Sequence, residues 1–219
     1  MAQRDKKAEP RPKPRLYLMT PSIEDAAEFA ELMAAALAAG DVAAVLLRLA
    51  DGDERSLINR AKTLSPLVQG KDAALLIENH ADLVARVGVD GAHLTGIDAF
   101  NDALATLKPE RIAGAGGLAS RHDAMIAADA GADYVMFGEP GADGARPAIA
   151  QIEERIAWWA EVFELPCVAY AAALDEVATL VTAGADFVAL GDWLWREPRH
   201  IAAQVAAAAQ QLSLPETAS

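Results

Sequence analysis

The sequence predicts a single-domain α/β protein, a closed (β/α)8 TIM barrel, and three observations carry that expectation. The first is the stretch Ala130-Gly131-Ala132-Asp133-Tyr134-Val135-Met136-Phe137-Gly138. It reads as a helix end, a sharp turn at Gly131, then an apolar strand closed by a second glycine. An unbroken apolar run between turn residues suits a strand buried on both faces, as in a parallel sheet. The second is recurrence. The phrase returns as Gly88-Val89-Asp90-Gly91-Ala92-His93-Leu94 and as Gly184-Ala185-Asp186-Phe187-Val188-Ala189-Leu190, spaced by roughly one βαβ unit. Glycine reaches positive φ to end a helix, and aspartate turns the chain into the strand. The third is strict alternation of strand-like and helix-like segments with short connections. An open doubly wound sheet is the alternative, but no Gly-x-Gly-x-x-Gly follows an early strand.

Residues 15–19 are a first short strand. Ser22 is read as the N-cap of a helix to about 39, with Glu24 and Asp25 in its first turn and Gly40 closing it. Residues 42–49 form the second strand and 53–68 the helix after it. The third strand is 73–77, followed by a short helix over 81–87. The fourth is 92–94, with a helix around 100–107. The fifth is 111–115, and Ser120 caps a helix to 130. After the sixth strand, within the stretch quoted first, a loop over 139–147 leads to a long helix over 148–163. The seventh strand is 166–170, with a helix over 174–183. The eighth is 187–190, and a helix over 198–212 closes the chain. Residues 15–212 thus form one barrel, flanked by a disordered basic tail over 1–14 and a disordered tail over 213–219.

Composition narrows the function classes. A hydrophobic content of 53% is ample for an α/β core in a chain of 219 residues. The net charge is −13 although the start is basic, with Arg4, Lys6, Lys7, Arg11, Lys13 and Arg15 against Asp5 and Glu9. The barrel is therefore more acidic than the total, which argues against nucleic acid as a partner. No apolar run reaches membrane-span length and the start has no signal-peptide character, so a cytoplasmic protein without a membrane partner is expected. The single Cys167 precludes an internal disulfide and reads as inert core.

In such a barrel, chemistry sits on the loops after the strands. Those loops carry Arg48, then Glu78, Asn79 and His80, then Thr95 and Asp98. Gly116 and Gly117 follow the fifth strand, Glu139 to Arg146 the sixth, Tyr170 to Ala173 the seventh, and Gly191, Asp192 and Trp193 the eighth.

With the loops placed, nearly the whole chain resembles the thiamine phosphate synthase superfamily, which also contains the thiazole tautomerase of thiamine biosynthesis. The carriers are Leu75-Leu76-Ile77-Glu78-Asn79-His80-Ala81-Asp82-Leu83 and the three glycine–aspartate junctions. The resemblance implies a transferase that joins a pyrimidine diphosphate to a thiazole phosphate, releases pyrophosphate and uses Mg²⁺. It further implies small-molecule substrates and a possible homodimer. Such chemistry requires cationic and N–H donors for pyrophosphate, carboxylates for the metal and a backbone cradle for the second phosphate.

Carried over residue by residue, the family pattern is altered. Of Gln-x-Arg-x-Lys after the second strand only Arg48 remains, which makes it the candidate catalytic cation. Asn-Asp after the third strand becomes Glu78-Asn79, so Asn79 stands at a metal position beside the retained Asp98. Ser-Thr-His after the fifth becomes Gly116-Gly117-Leu118; the lysine after the sixth is replaced by Arg146; Gly-Gly after the seventh is Ala171-Ala172; and the serine after the eighth is Asp192. Methyl groups at Ala171 and Ala172 restrict backbone approach, and Asp192 would repel a phosphate by about 1 kcal/mol in water and several when desolvated. In the tautomerase a catalytic histidine follows the glycine that ends the sixth strand; here Glu139 follows Gly138, a general base if burial raises its pKa.

Bland readings stand beside these. Glu78, Asn79 and His80 form either a metal-binding cluster with Asp98 or a hydrogen-bonded loop, and Gly116-Gly117 either an anion nest or a tight turn. His93 reads as a satisfied core histidine, and Trp158, Trp159, Trp193 and Trp195 as packing or subunit contact. Three functions follow: a divergent thiamine phosphate synthase, a non-catalytic family member that binds a ligand or protein, or another barrel enzyme using Glu139 or Asp98 as acid–base, a tautomerase-like isomerase using Glu139 among them.

Overall fold

The computed structural model describes residues 12–141 and 143–213; most of the two expected tails lies outside them. Eight parallel strands close on themselves in chain order: β1 (Arg15–Ile23), β2 (Val42–Leu49), β3 (Ala74–Glu78), β4 (Gly91–Thr95), β5 (Ile112–Gly116), β6 (Tyr134–Phe137), β7 (Cys167–Ala171) and β8 (Phe187–Leu190). Between and after them run α1 (Ala26–Ala38), α2 (Glu54–Gln69), α3 (Val84–Val87), α4 (Ile97–Leu107), α5 (Arg121–Ala130), α6 (Ile149–Val162), α7 (Val177–Thr182) and α8 (Ile201–Gln211). This is the expected (β/α)8 barrel. Among the described residues no helix is long and apolar enough to cross a membrane.

The two-residue strand period divides the apolar residues into two cores. Leu16, Leu18, Leu75, Ile77, Val135, Phe137, Val188 and Leu190 face the helices. Tyr17, Met19, Leu46, Leu76, Tyr134, Met136, Val168 and Tyr170 fill the barrel. Continuing the interior rows by one period brings Arg48, Glu78, Gly116 and Ala172 to the mouth.

The recurring glycine–aspartate junctions have one shared geometry. Gly88, Gly131 and Gly184 all take positive φ. Two residues later each aspartate pairs twice with one residue of the preceding strand. Leu75 N–H donates to Asp90 (2.7 Å) while Asp90 N–H donates to Leu75 O (2.9 Å). Ala113 with Asp133 and Cys167 with Asp186 repeat the arrangement. The aspartates thus join β3 to β4, β5 to β6 and β7 to β8 where the strands begin. Asp41, just before β2, joins β1 by a two-pronged ion pair with Arg15 (2.6 and 2.9 Å).

One boundary departs from expectation. The first strand continues past a register irregularity, so that Ser22 pairs with Arg48 and Ile23 with Leu49. Ser22 is therefore extended strand, and Asp25 caps α1 by accepting from the N–H groups of Ala27 and Glu28. The Ser120 capping box of α5 is as expected. The tryptophans are packing residues: Trp159 is fully buried and donates to Leu165 O, Trp195 is buried and donates to Met19 O, and Trp158 carries the Arg121 guanidinium over its ring at 4.7 Å. Cys167 is buried in β7.

Candidate active site at the barrel mouth

Arg48, at the upper end of β2, is pinned from below. Its N–H donates to Thr20 Oγ1 at 3.0 Å and its Nε to Thr20 O. Its terminal nitrogen reaches across the mouth to the Asp192 carboxylate, so the cation expected for catalysis and the acid expected to repel phosphate are ion-paired. Glu78, the last residue of β3, stands near both. Burial raises its carboxyl above the ordinary range; Arg48 opposes that rise and Asp192 adds to it.

Asn79 holds the corner between β3 and β4 at φ +56°, in the left-handed region that asparagine tolerates. Its Oδ1 accepts from the Thr95 N–H at 2.8 Å and its Nδ2 lies 3.4 Å from Thr95 Oγ1. This is the hydrogen-bonded loop. Asp98 sits exposed in the first turn of α4. Among the described residues no three His, Cys, Asp or Glu side chains gather in a metal-binding group. An amide oxygen already engaged by a backbone N–H, beside one exposed carboxylate, does not fit a resident Mg²⁺, which takes oxygen ligands in near-octahedral array.

The floor of the mouth is a buried polar chain that sequence reasoning did not assemble. His93 points into the barrel from β4, 2% exposed, with Nδ1 2.8 Å from the Tyr134 hydroxyl; Tyr134 in turn lies 2.9 Å from the Tyr17 hydroxyl. Burial pushes His93 down to about 4, so the ring is neutral at physiological pH. Above it, the other ring nitrogen and Glu139 Oε1 both come within 2.4 Å of where a Cβ on Gly116 would stand. Only glycine there lets the histidine and the carboxyl approach each other. Glu139 also accepts from the Gly117 N–H, Gly117 having φ +59°. The Gly117 N–H is thus occupied by the chain's own carboxylate. Burial pushes Glu139 up to about 7, against the opposing hydrogen bond from Gly117 and the charge of Arg155. The available signal was parity: His93 lies one strand period below Thr95, and Gly114 lies one below Gly116, where the Tyr134 ring crosses over it.

Across the mouth, Arg146 turns inward and bonds Glu176 Oε1 and Oε2 at 2.8 and 3.0 Å, Gly138 O at 3.1 Å and Tyr170 O at 3.3 Å. Glu176, absent from the sequence-based candidates, also accepts from the Ala172 N–H at 2.8 Å. Ala172 lies against the barrel interior, whereas the Ala171 methyl belongs to the core beneath the helices and does not line the mouth. Trp193 covers this corner, its indole N–H donating to Ala171 O at 2.9 Å. The arrangement joins a carboxyl raised toward neutral pH, a neutral histidine and two arginines with carboxylate partners.

Comparison with known proteins gives a consistent picture. Residues 16–193 match the family described as thiamine monophosphate synthase. The thiamine-phosphate synthase of Rhodospirillum centenum is 42% identical over 195 residues, 88% of this chain and 94% of that protein. That of Hyphomonas neptunium is 38% identical over 211 residues, 91% of this chain and 94% of the relative. Among solved structures, the thiamine phosphate pyrophosphorylase from Pyrococcus furiosus superposes with a TM-score of 0.73 at 22% identity, covering 91% of this chain and 96% of that one. At that identity the superposition speaks to the fold.

Proposed function

The chain belongs to the thiamine monophosphate synthase family, and from that premise we propose that it is a divergent thiamine phosphate synthase-like enzyme acting on small heterocycles in the cytoplasm. In the family reaction a carbon–nitrogen bond forms between the pyrimidine's methylene carbon and the thiazole nitrogen. The carbon–oxygen bond to the diphosphate breaks, and pyrophosphate leaves with the electron pair. The observation that carries the reading is Arg48: the one residue left of its motif reaches over the mouth, where a leaving pyrophosphate needs a cation. Glu139, half-protonated near neutral pH, supplies a carboxyl that donates to or accepts from a ring nitrogen. Turnover of the standard substrates is slow because Arg48 must first leave Asp192.

The test is incubation of the purified chain with hydroxymethylpyrimidine diphosphate, thiazole phosphate and Mg²⁺, with thiamine phosphate read by chromatography. Slow product formation is expected, reduced roughly 100-fold by Arg48→Ala, the scale of a lost charge-stabilising donor. Absence of product at saturating substrate, with thiazole phosphate and with the thiazole alcohol as acceptor, overturns the synthase reading. One observation favours a second reading, an isomerase: Glu139 is raised to about 7 beside a neutral histidine, which suits a proton-transfer base. It requires Glu139-dependent exchange of substrate carbon-bound hydrogen in heavy water.

A further inference from the structure

The loops after the last two strands are where (β/α)8 barrels commonly seat phosphate, through backbone N–H groups and a nearby cation. Here the Ala172 N–H and the two arginines nearby already have carboxylate partners from the chain. Glu176 accepts from the Ala172 N–H and from one terminal nitrogen of Arg146 through both carboxylate oxygens, and the two side chains are only 19% and 18% exposed. On the β8 side the Tyr170 hydroxyl packs against Gly191, next to Asp192. The Asp192 carboxylate holds Arg48. A phosphate entering this corner would displace one carboxylate and lie against another.

We propose that the corner between β7 and β8 is an anion receptor filled by Glu176, and that Glu176 with Asp192 selects a ligand whose end is a neutral hydroxyl rather than a phosphate monoester. The substrate class rests on the function proposed above: the acceptor becomes a thiazole alcohol in place of its phosphate. The filling of the corner does not depend on that reading. Two like charges at contact oppose each other, more strongly when desolvated than in water, which decides between ester and alcohol.

Calorimetric titration of the full chain tests both parts, with inorganic phosphate, the thiazole alcohol and the thiazole phosphate as probes. The wild type should bind the alcohol at least roughly tenfold more tightly than the phosphate ester, a difference of about 1.4 kcal/mol. Glu176→Gln keeps an oxygen for the Ala172 N–H while freeing Arg146, and Asp192→Asn frees Arg48. Together they should raise the affinity for inorganic phosphate about tenfold or more. If phosphate affinity rises but neither thiazole binds, the filled corner stands and the thiazole acceptor falls. If the wild type binds the phosphate ester as tightly as the alcohol, the proposal is overturned whatever the turnover; that comparison needs no variant. A folded double variant with unchanged phosphate affinity also overturns it.

Discussion

Glu139 and His93 share the space over Gly116, and their burial pulls in opposite directions. Glu139 is raised from 4.5 to about 7, so its folded form binds more protons than the unfolded chain; its contribution is complete at low pH and is lost as pH rises through that interval. His93 is lowered from 6.5 to about 4, so its contribution is complete above 6.5 and is lost on acidification. Each amounts to at most about 3 kcal/mol at 1.36 kcal/mol per pKa unit. In the wild type the two largely cancel between pH 4.5 and 6.5, with Glu78 adding in the same sense as Glu139. Asp41, held below the usual carboxylate range by its hydrogen bond from Arg15, acts at lower pH. Urea midpoints of Glu139→Gln should therefore rise with pH across this window, and those of His93→Gln should fall. Parallel profiles for the two variants would refute the opposition. The sequence pointed to each residue singly, Glu139 by its place after Gly138 and His93 as a core histidine, but not to their meeting over Gly116, because His93 comes from a strand two positions round the barrel. Arg48 and Asp192 were both picked out, yet their pairing spans 144 positions in the chain.

At the scale of elements the sequence was far more legible, because a strand bounded by glycine and aspartate is a local signal. All eight strands lie where the apolar runs put them. The start of α1 was misplaced, since Ser22 read as an N-cap while pairing with β2 held it extended. What local signals did not reveal is the work of each aspartate, which reaches the strand before its own. Removing that carboxylate leaves a strand N–H without its acceptor, which costs about 1–3 kcal/mol. Asp133→Ala and Asp186→Ala should each lower stability by that amount in urea unfolding. Asp129→Ala, exposed near the end of α5, should stay within about 0.5 kcal/mol. Gly131→Ala meets no atom within 4 Å, but at φ +103° it should lose about 1–2 kcal/mol to backbone strain alone. Equal losses for Asp129 and Asp133 would remove the junctions from the account of stability.

Over the whole molecule these two scales separate along the barrel axis. The aspartate joints and the Arg15–Asp41 pair lie where the strands begin, whereas Arg48, Glu78, Glu139, Glu176 and Asp192 lie where they end. Close-packed side chains fill the barrel between them, and Tyr17, Tyr134 and His93 form the polar link that crosses it. A fold held at one end leaves the charges at the other free to vary without loss of the barrel, and here Arg48, Arg146 and the Ala172 and Gly117 N–H groups face carboxylates of the chain itself. The separation has a measurable form. Asp133→Ala should lose stability while its turnover per folded molecule stays within about twofold of the wild type, since its bonding partners, Ala113 and Lys108, lie where the strands begin. Arg48→Ala should lose roughly 100-fold in thiamine phosphate formation while its unfolding free energy moves by less than about 1 kcal/mol, because its ion pair is solvent-exposed on the Asp192 side. Paired urea curves and turnover assays on the two variants decide the matter. If Asp133→Ala slowed turnover as strongly as Arg48→Ala, strain would be passing along the barrel through the Tyr17–Tyr134–His93 link, and the two ends would have to be treated as one mechanical unit.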